Sequence, residues 1–147
     1  MNLKEQLMED LKVAMRDKDV IRKNTVQLVR SGVLQVEKDK RVELDEQGVL
    51  DVIATEVKKR RDVLPEYEKG GRDDMVETLR QEIDVLLGYL PEQLSVEEVE
   101  EIVAAAIAET GAASMKDMGK VMAAVTPKTK GRADGKVVNE IVKARLG

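Results

Sequence analysis

The chain has 147 residues, of which 42% are hydrophobic and 37% are charged, and its formal net charge is −4. This is the composition of a folded protein, and the length suffices for one fair core or for two small helical domains. Cysteine and histidine are both absent, which excludes disulfides, thiolate and imidazole metal sites, a cysteine nucleophile and a Ser-His-Asp triad. Two tyrosines are the only aromatic residues, so a platform that stacks single-stranded bases is not expected.

The beginning of the chain, MNLKEQLMEDLK, alternates charged residues with leucine and lacks the apolar segment of a signal peptide. Nowhere do about 18 apolar residues run together, so neither a membrane span nor a membrane partner is expected. The lack of cysteine fits a reducing compartment. We therefore expect a cytoplasmic protein.

Residues 1–92 are predicted to form an N-terminal domain of four helices. The first helix should end near residues 17–18, and the second should run from about Val20 to Lys38 with Asp19 as its N-cap. Gly32 in the second helix either lets another helix approach closely or is merely a poor helix former. Apolar positions at helical spacing predict the buried faces of these two helices: Leu3, Leu7, Leu11 and Ala14, then Ile21, Leu28, Val29 and Val36.

Asp45 is the predicted N-cap of a third helix, in which Pro65 should cause a kink or an end. Gly70-Gly71 then breaks the chain before a fourth helix that begins at Arg72 or Asp73. Long helices joined by a short glycine turn should lie antiparallel. The predicted buried positions are Val49, Ile53, Val57 and Leu64, then Met75, Leu79, Ile83, Leu86 and Leu90.

The third helix carries the densest basic run of the chain, at residues 58–61. Four consecutive helical residues spread over a full turn, so they cannot all face one ligand. A solvated helix face, with Glu56 pairing with Arg60, is favoured over a nucleic-acid patch.

Residues 93–147 are predicted to form a C-terminal three-helix bundle. Ser95 and Glu98 have the spacing of a capping box, and Gly111 can end that helix in the left-handed conformation. A second helix is expected to begin after Ser114 and to stop at Thr126-Pro127, and Asp134 should cap the last one. The residues expected inside are Val96, Val99, Ile102, Val103, Ala106 and Ile107; Met115, Met118, Met122 and Val125; and Val137 or Val138, Ile141, Val142 and Leu146.

Charge is distributed unevenly along the chain. From Gly111 to the end there are eight basic and three acidic residues, a balance of +5, whereas the preceding 110 residues have a balance of −9. An acidic body with a basic end can mark where a polyanion docks. The candidate phosphate-contacting side chains are Lys120, Lys128, Lys130, Arg132 and Lys136.

The segment from Gly131 to Val137 superficially resembles a phosphate loop. It is one residue too short for that motif, Val137 replaces the hydroxyl that would bind the metal, and no strand precedes it. Contact between basic side chains and a phosphate backbone is thus more plausible than capture of a mononucleotide, and an exposed loop kept for solubility is about as plausible. No catalytic, cofactor-binding or metal-binding set of residues can be assembled, which favours a binding module over an enzyme.

Three segments in sequence, YLPEQLSVEEVEEIV, TGAASMKDMGKVMAAV and PKTKGRADGKVVNEIVKARL, resemble the YqeY family of small bacterial proteins over essentially the whole chain. That family is in turn similar to the tail of the B subunit of glutamine-dependent aminoacyl-tRNA amidotransferase. The motif residues that carry the resemblance are Gly119, Lys120, Met122, Lys130, Gly131, Asp134, Val138, Asn139 and Leu146.

The resemblance implies an all-α fold and tRNA as the partner, with an aminoacyl-tRNA synthetase or an amidotransferase as further partners and no DNA. It implies a tRNA-associated accessory protein. The alternatives are a protein-interaction or regulatory helical module, or a non-catalytic component of a carbon–nitrogen ligase that uses glutamine as amido donor. Because the catalytic body of the amidotransferase is missing, the resemblance does not imply that this chain transfers ammonia.

Overall fold

The computed structural model describes residues 1–147 and contains helices but no strand. The all-α fold expected from the sequence is therefore confirmed. The chain forms two compact units, Met1–Leu90 and Pro91–Gly147. The helices are α1 (Leu3–Arg16), α2 (Val20–Lys40), α3 (Glu46–Lys69), α4 (Asp73–Leu87), α5 (Val96–Thr110), α6 (Met118–Thr129) and α7 (Gly135–Leu146), with a 3₁₀ turn at Met115–Asp117.

The first unit encloses a core between α1, α2, α3 and α4. The caps predicted for α2 and α3 are confirmed, since Asp19 accepts from the Arg22 amide and Asp45 from the Gly48 amide. Helix α4 begins after Arg72, as predicted. The core consists of Leu7, Leu11, Val26, Val29, Val33, Val49, Ile53, Val57, Ile83 and Leu86.

The predicted buried face of α2 was wrong in part. Val29 is fully buried, but Leu28 is 50% exposed, and Val26 and Val33 occupy the core instead. Helix α2 packs against α1, α3 and α4 at once. Its scattered apolar residues allow more than one stripe, so the neighbouring helices select the buried one.

Helix α3 continues through Pro65 to Lys69. The prediction allowed either a kink or a helix end at this proline, and the helix end was wrong. A proline removes one backbone donor, and here its side chain faces solvent in the last two turns. Beyond it, Arg80 of α4 pairs with Glu68 at 3.3 Å, while Arg60 pairs with Glu82 at 3.1 Å. Partners that run in opposite order along the two helices show that α3 and α4 are antiparallel.

Gly32 lies where α2 approaches α3. A Cβ atom built on Gly32 would come within 3.1 Å of Val52 Cγ1. This is tighter than ordinary van der Waals contact, and it favours the interpretation of Gly32 as a packing residue over that of a mere poor helix former.

The second unit packs α5, α6 and α7 around its own core. The capping box of Ser95 and Glu98 is present, Gly111 ends α5 with φ of 67°, and Asp134 caps α7, all as predicted. Its buried residues are Val99, Val103, Ala106, Val121, Val125, Val138, Val142 and Leu146.

Several details of this unit differ from the prediction. Met115 is 43% exposed and Val96 is 53% exposed, because each stands at the beginning of a helical segment, beyond the reach of the core. Helix α6 passes Pro127 and ends at Thr129 instead of stopping at Thr126. Pro65 and Pro127 thus both lie in the last two turns of their helices, where each proline removes a single backbone donor near the helix end.

Candidate nucleic-acid interface

The basic loop between α6 and α7, residues 130–134, is held by backbone hydrogen bonds to the end of α6. The Lys130 amide donates to the Thr126 carbonyl at 2.9 Å, and the Arg132 amide donates to the Thr129 carbonyl at 2.8 Å. Gly131 adopts φ of 74°, a left-handed conformation that glycine takes without strain. Thr129 itself is buried, and its hydroxyl donates to the Val125 carbonyl at 3.2 Å. The loop therefore has a defined shape.

The segment that precedes α5 braces the same loop. The Leu94 amide donates to the Arg132 carbonyl at 2.8 Å, and the Gln93 side-chain amide donates to the Gly131 carbonyl at 2.8 Å. The Arg132 guanidinium in turn donates to the Glu92 carbonyl at 3.3 Å. Sequence reasoning missed these contacts, because they join residues about 40 positions apart and no local sequence pattern predicts them.

Arg132 consequently has a structural task besides any contact with a ligand. Its Nε and Nη1 atoms both point to backbone carbonyls, those of Glu92 and Lys128. Its charge also contributes to the low pKa of Glu98, which is lowered first by the hydrogen bond from the Ser95 amide. Arg132 therefore contributes to the structure of the loop through hydrogen bonds to two backbone carbonyls.

Three of the candidate lysines lie at the loop. Lys128 lies in the last turn of α6, and Lys130 is the C-cap of that helix. Lys136 lies in the first turn of α7. All three are exposed. The structure thus brings Lys128, Lys130, Arg132 and Lys136 into one neighbourhood.

Lys120 is not part of that neighbourhood. It is exposed in the first turn of α6, eight residues before Lys128, which places it about 12 Å away along the helix axis. A ligand that contacts both ends of α6 must therefore bridge about 12 Å along the helix.

The beginning of α7 is not an open anion site. The Asp134 carboxylate accepts from the Lys136 amide at 3.0 Å, which places a negative charge beside the free amides of the helix. The resemblance to a phosphate loop therefore has no structural counterpart, and the lysine side chains are left as the groups that can contact phosphate.

Acidic side chains of α3 and α4 pair with three of the four cations in the basic run of α3. The pairing of Glu56 with Arg60 was predicted and is confirmed at 3.0 Å, but Arg60 is also buried, at 8% exposure, and binds Glu82. Lys59 pairs with Glu56 at 3.1 Å and Lys58 with Asp62 at 2.9 Å. Since three of the four cations are paired and one of them is buried, the run does not form a common basic patch.

None of the seven α-helices combines the length and the apolar composition that a membrane span requires. Acidic side chains nowhere gather in a group of three or more that could hold a metal ion. Lys128, Lys130, Arg132 and Lys136 therefore remain the candidate site.

Relatives with curated names are fungal proteins called "Altered inheritance of mitochondria protein 41, mitochondrial". The protein of Pyrenophora tritici-repentis is 28% identical over 145 residues, covering 97% of this chain and 80% of that protein. The protein of Kluyveromyces lactis is 40% identical over 84 residues, covering 56% of this chain and 45% of that protein. The protein of Lachancea thermotolerans is 37% identical over 85 residues, covering 57% and 46%. The chain thus spans most of the first relative and about half of the other two.

These names correct two expectations. The relatives are described as mitochondrial, which contradicts the simple cytoplasmic localisation inferred from the composition and the beginning of the chain. They are also eukaryotic, so a bacterial origin does not follow from the resemblance. The absence of cysteine could not separate these cases, because a compartment is not encoded in the composition of a folded domain.

The sequence matches the family described as "Yqey-like protein" over residues 4–146, which includes both units and every candidate lysine. The resemblance noted in the sequence is thereby confirmed across nearly the entire length. The chain belongs to the YqeY-like family.

Proposed function

We propose that the C-terminal unit binds tRNA by contacting its phosphate backbone, and that the protein serves as a tRNA-associated accessory factor. The contacting side chains are those of Lys120, Lys128, Lys130 and Lys136. Arg132 mainly shapes the loop, which carries Lys130 and joins the two helices that carry the other three lysines.

The observation that carries this proposal is the separation of charge within the second unit. Helix α5 holds five acidic residues and no basic one, whereas residues 111–147 hold eight basic and three acidic residues. A surface of one charge sign beside one of the opposite sign orients a polyanion and directs it to the basic side. The similarity of the α6–α7 motif to the tail of the amidotransferase B subunit favours tRNA among polyanions.

The mode of contact follows from the residue types. Both tyrosines, Tyr67 and Tyr89, belong to the first unit, so the second unit has no aromatic ring on which a base can stack. Lysine binds phosphate as a point charge and reads no base identity by itself. Binding should therefore be indifferent to base sequence and strongly dependent on salt.

The braced loop supports a binding role as well. Hydrogen bonds from Leu94 and Gln93 hold the loop carbonyls at 2.8 Å, and the Arg132 side chain is held by the Glu92 carbonyl at 3.3 Å. A backbone already ordered loses less entropy when its side chains engage a partner.

The test is binding of total tRNA, measured at several salt concentrations, to the intact chain and to a variant with the four lysines changed to glutamine. If all four contact phosphates, the slope of log K against log[salt] should become shallower by about 3. Arg132 is kept, so that the loop retains its bracing. A matched control removes the same charge from exposed lysines of the first unit: Lys12, Lys38, Lys40 and Lys69.

The proposal predicts that only the first variant loses affinity and salt slope. Equal losses in both variants would mean that net charge alone attracts the RNA. No binding by the intact chain at low salt would refute the proposal, and a protein-interaction module would then be the better description.

A further inference from the structure

An apolar groove runs between α1 and α2 on the surface of the first unit. Its volume is about 240 Å³, and buried Leu7 and Val33 form part of its lining. Met8 and Leu34 also line it, with exposures of 36% and 62%. Apolar side chains that meet in an open groove typify an interaction surface.

The apolar surface continues along α1. Met8 and Met15 are spaced by seven residues, and they are 36% and 57% exposed. Residues seven apart lie nearly on one line of a helix, so the two methionines are aligned about 10 Å apart along α1. Unbranched methionine side chains adapt readily to an opposing surface.

The charged residues of the groove are arranged as a dipole along its length. Lys4 of α1 pairs with Glu37 of α2 at 2.6 Å, and a short connection joins the opposite ends of these helices, which are therefore antiparallel. Glu5 lies beside this ion pair. Arg30 lies seven residues before Glu37, about 10 Å away along the axis of α2, on the far side of Leu34.

Glu5 and Arg30 form no ion pair within the chain. The groove therefore has an unpaired acid near one end, an unpaired base near the other and apolar side chains between them. With Lys4 and Glu37 included, its lining charges balance to zero. Such a surface attracts neither a polyanion nor a polycation, but it is complementary to itself after rotation by a half-turn.

We propose that the occupant of this groove is a second copy of the chain. The α1–α2 pair of one protomer packs against that of the other about a two-fold axis near Met8 and Leu34. Rotation about that axis brings Glu5 of each protomer to Arg30 of the partner copy, twice per dimer, as an isologous interface requires. The contact lies in the first unit and is independent of the RNA proposal, which concerns the second.

The experiment is sedimentation or light scattering of the full chain over about 1 µM to about 1 mM, a range that brackets weak and moderate self-association. The intact chain should pass from monomer to dimer. Leu34→Lys should abolish the dimer by placing two charges at the axis. Leu28→Lys is the matched control, since Leu28 is 50% exposed on another face of the same helix, and it should leave the dimer intact.

The charge pairs provide the sharper test. Glu5→Lys alone and Arg30→Glu alone each place two side chains of like charge opposite one another across the proposed interface, at positions 5 and 30. Each variant should therefore raise the dimer dissociation constant at least about tenfold. An equal mixture of these two variants should dimerise again, because every contact between the unlike copies then joins opposite charges. Circular dichroism confirms that each variant is folded.

Two results would overturn the proposal. One is a chain that stays monomeric throughout the concentration range. The other is a dimer that withstands Leu34→Lys, or whose charge variants are not rescued by mixing, since either would place the contact elsewhere.

Discussion

Replacing Arg60 by alanine is expected to destabilise the first unit by about 3 kcal/mol. Arg60 is 8% exposed, and its guanidinium donates to Glu82 at 3.1 Å, to the Glu56 carboxylate at 3.0 Å and to the Glu56 carbonyl at 3.0 Å. The variant leaves Glu82, whose side chain is 18% exposed, without a cation. Glu56 keeps Lys59 at 3.1 Å. Breaking a buried pair costs about 3–5 kcal/mol, and the remaining partner of Glu56 places this case at the lower end.

The assay is urea unfolding of the full chain followed by circular dichroism, with the free energy of unfolding extrapolated to water. Lys58→Ala is the matched control on the same helix. It breaks the Lys58–Asp62 pair of 2.9 Å, whose side chains are 56% and 33% exposed, and should cost at most about 1 kcal/mol. The double variant Arg60→Met, Glu82→Leu replaces the charges by apolar side chains and should recover most of the loss.

The pH dependence distinguishes a charge effect from a loss of packing. Burial raises the pKa of Glu56, but hydrogen bonds from Arg60 and Lys59 outweigh burial and hold the pKa below its usual 4.5. The pairing thus stabilises the intact chain above that pH and is lost as the pH falls through the folded-state pKa. The deficit of Arg60→Ala should therefore shrink in acid. A loss no greater than that of Lys58→Ala, or one that is unchanged in acid, would refute the reasoning.

Three further predictions follow from local geometry and are measured by the same unfolding experiment. Ser95→Ala removes the hydroxyl that accepts from the Glu98 amide at 3.1 Å and should cost about 1 kcal/mol, against a smaller loss for Ser95→Asp, which retains a capping oxygen. Gly32→Ala should gain less than the roughly 1 kcal/mol expected from helix propensity, because its Cβ would come within 3.1 Å of Val52, and the full gain should return in a Val52→Ala background; equal effects in both backgrounds would show that the contact is loose. The pKa of Glu37 is lowered, chiefly by the hydrogen bond from Lys4, so the intact chain should lose stability as the pH falls below 4.5, and Glu37→Gln should lose less over that interval.

Much of the local structure could be predicted because its causes lie within a few residues. The caps at Asp19, Asp45, Ser95 and Asp134 each depend on a side chain reaching an amide two or three positions away. Gly111 ends α5 because glycine enters the left-handed region without strain. The buried face of α1 could be predicted as well, because Leu7, Leu11 and Ala14 recur at helical spacing and lie on one face of the helix.

Features that depend on distant residues could not be read in this way. The burial of Arg60 requires Glu82 of another helix, and the bracing of the basic loop requires residues 92–94, which lie about 40 positions earlier in the chain. Neither contact leaves a local pattern. The structural task of Arg132, whose guanidinium donates to two backbone carbonyls, was likewise not visible in the sequence.

The sequence by itself determined that the chain is all-α, where most helices begin, that its basic residues collect at the C-terminal end and that it is a YqeY-like protein. These properties arise from side-chain spacing, capping and composition, which act over a few residues or over the whole chain without regard to fold. Only the tertiary structure decided which face of α2 is buried, that α3 and α6 continue past their prolines, and that Met8 and Leu34 stand at an open groove. Each of these is set by what a neighbouring helix covers or leaves uncovered, because the free energy of burying a side chain depends on the surface that packs against it.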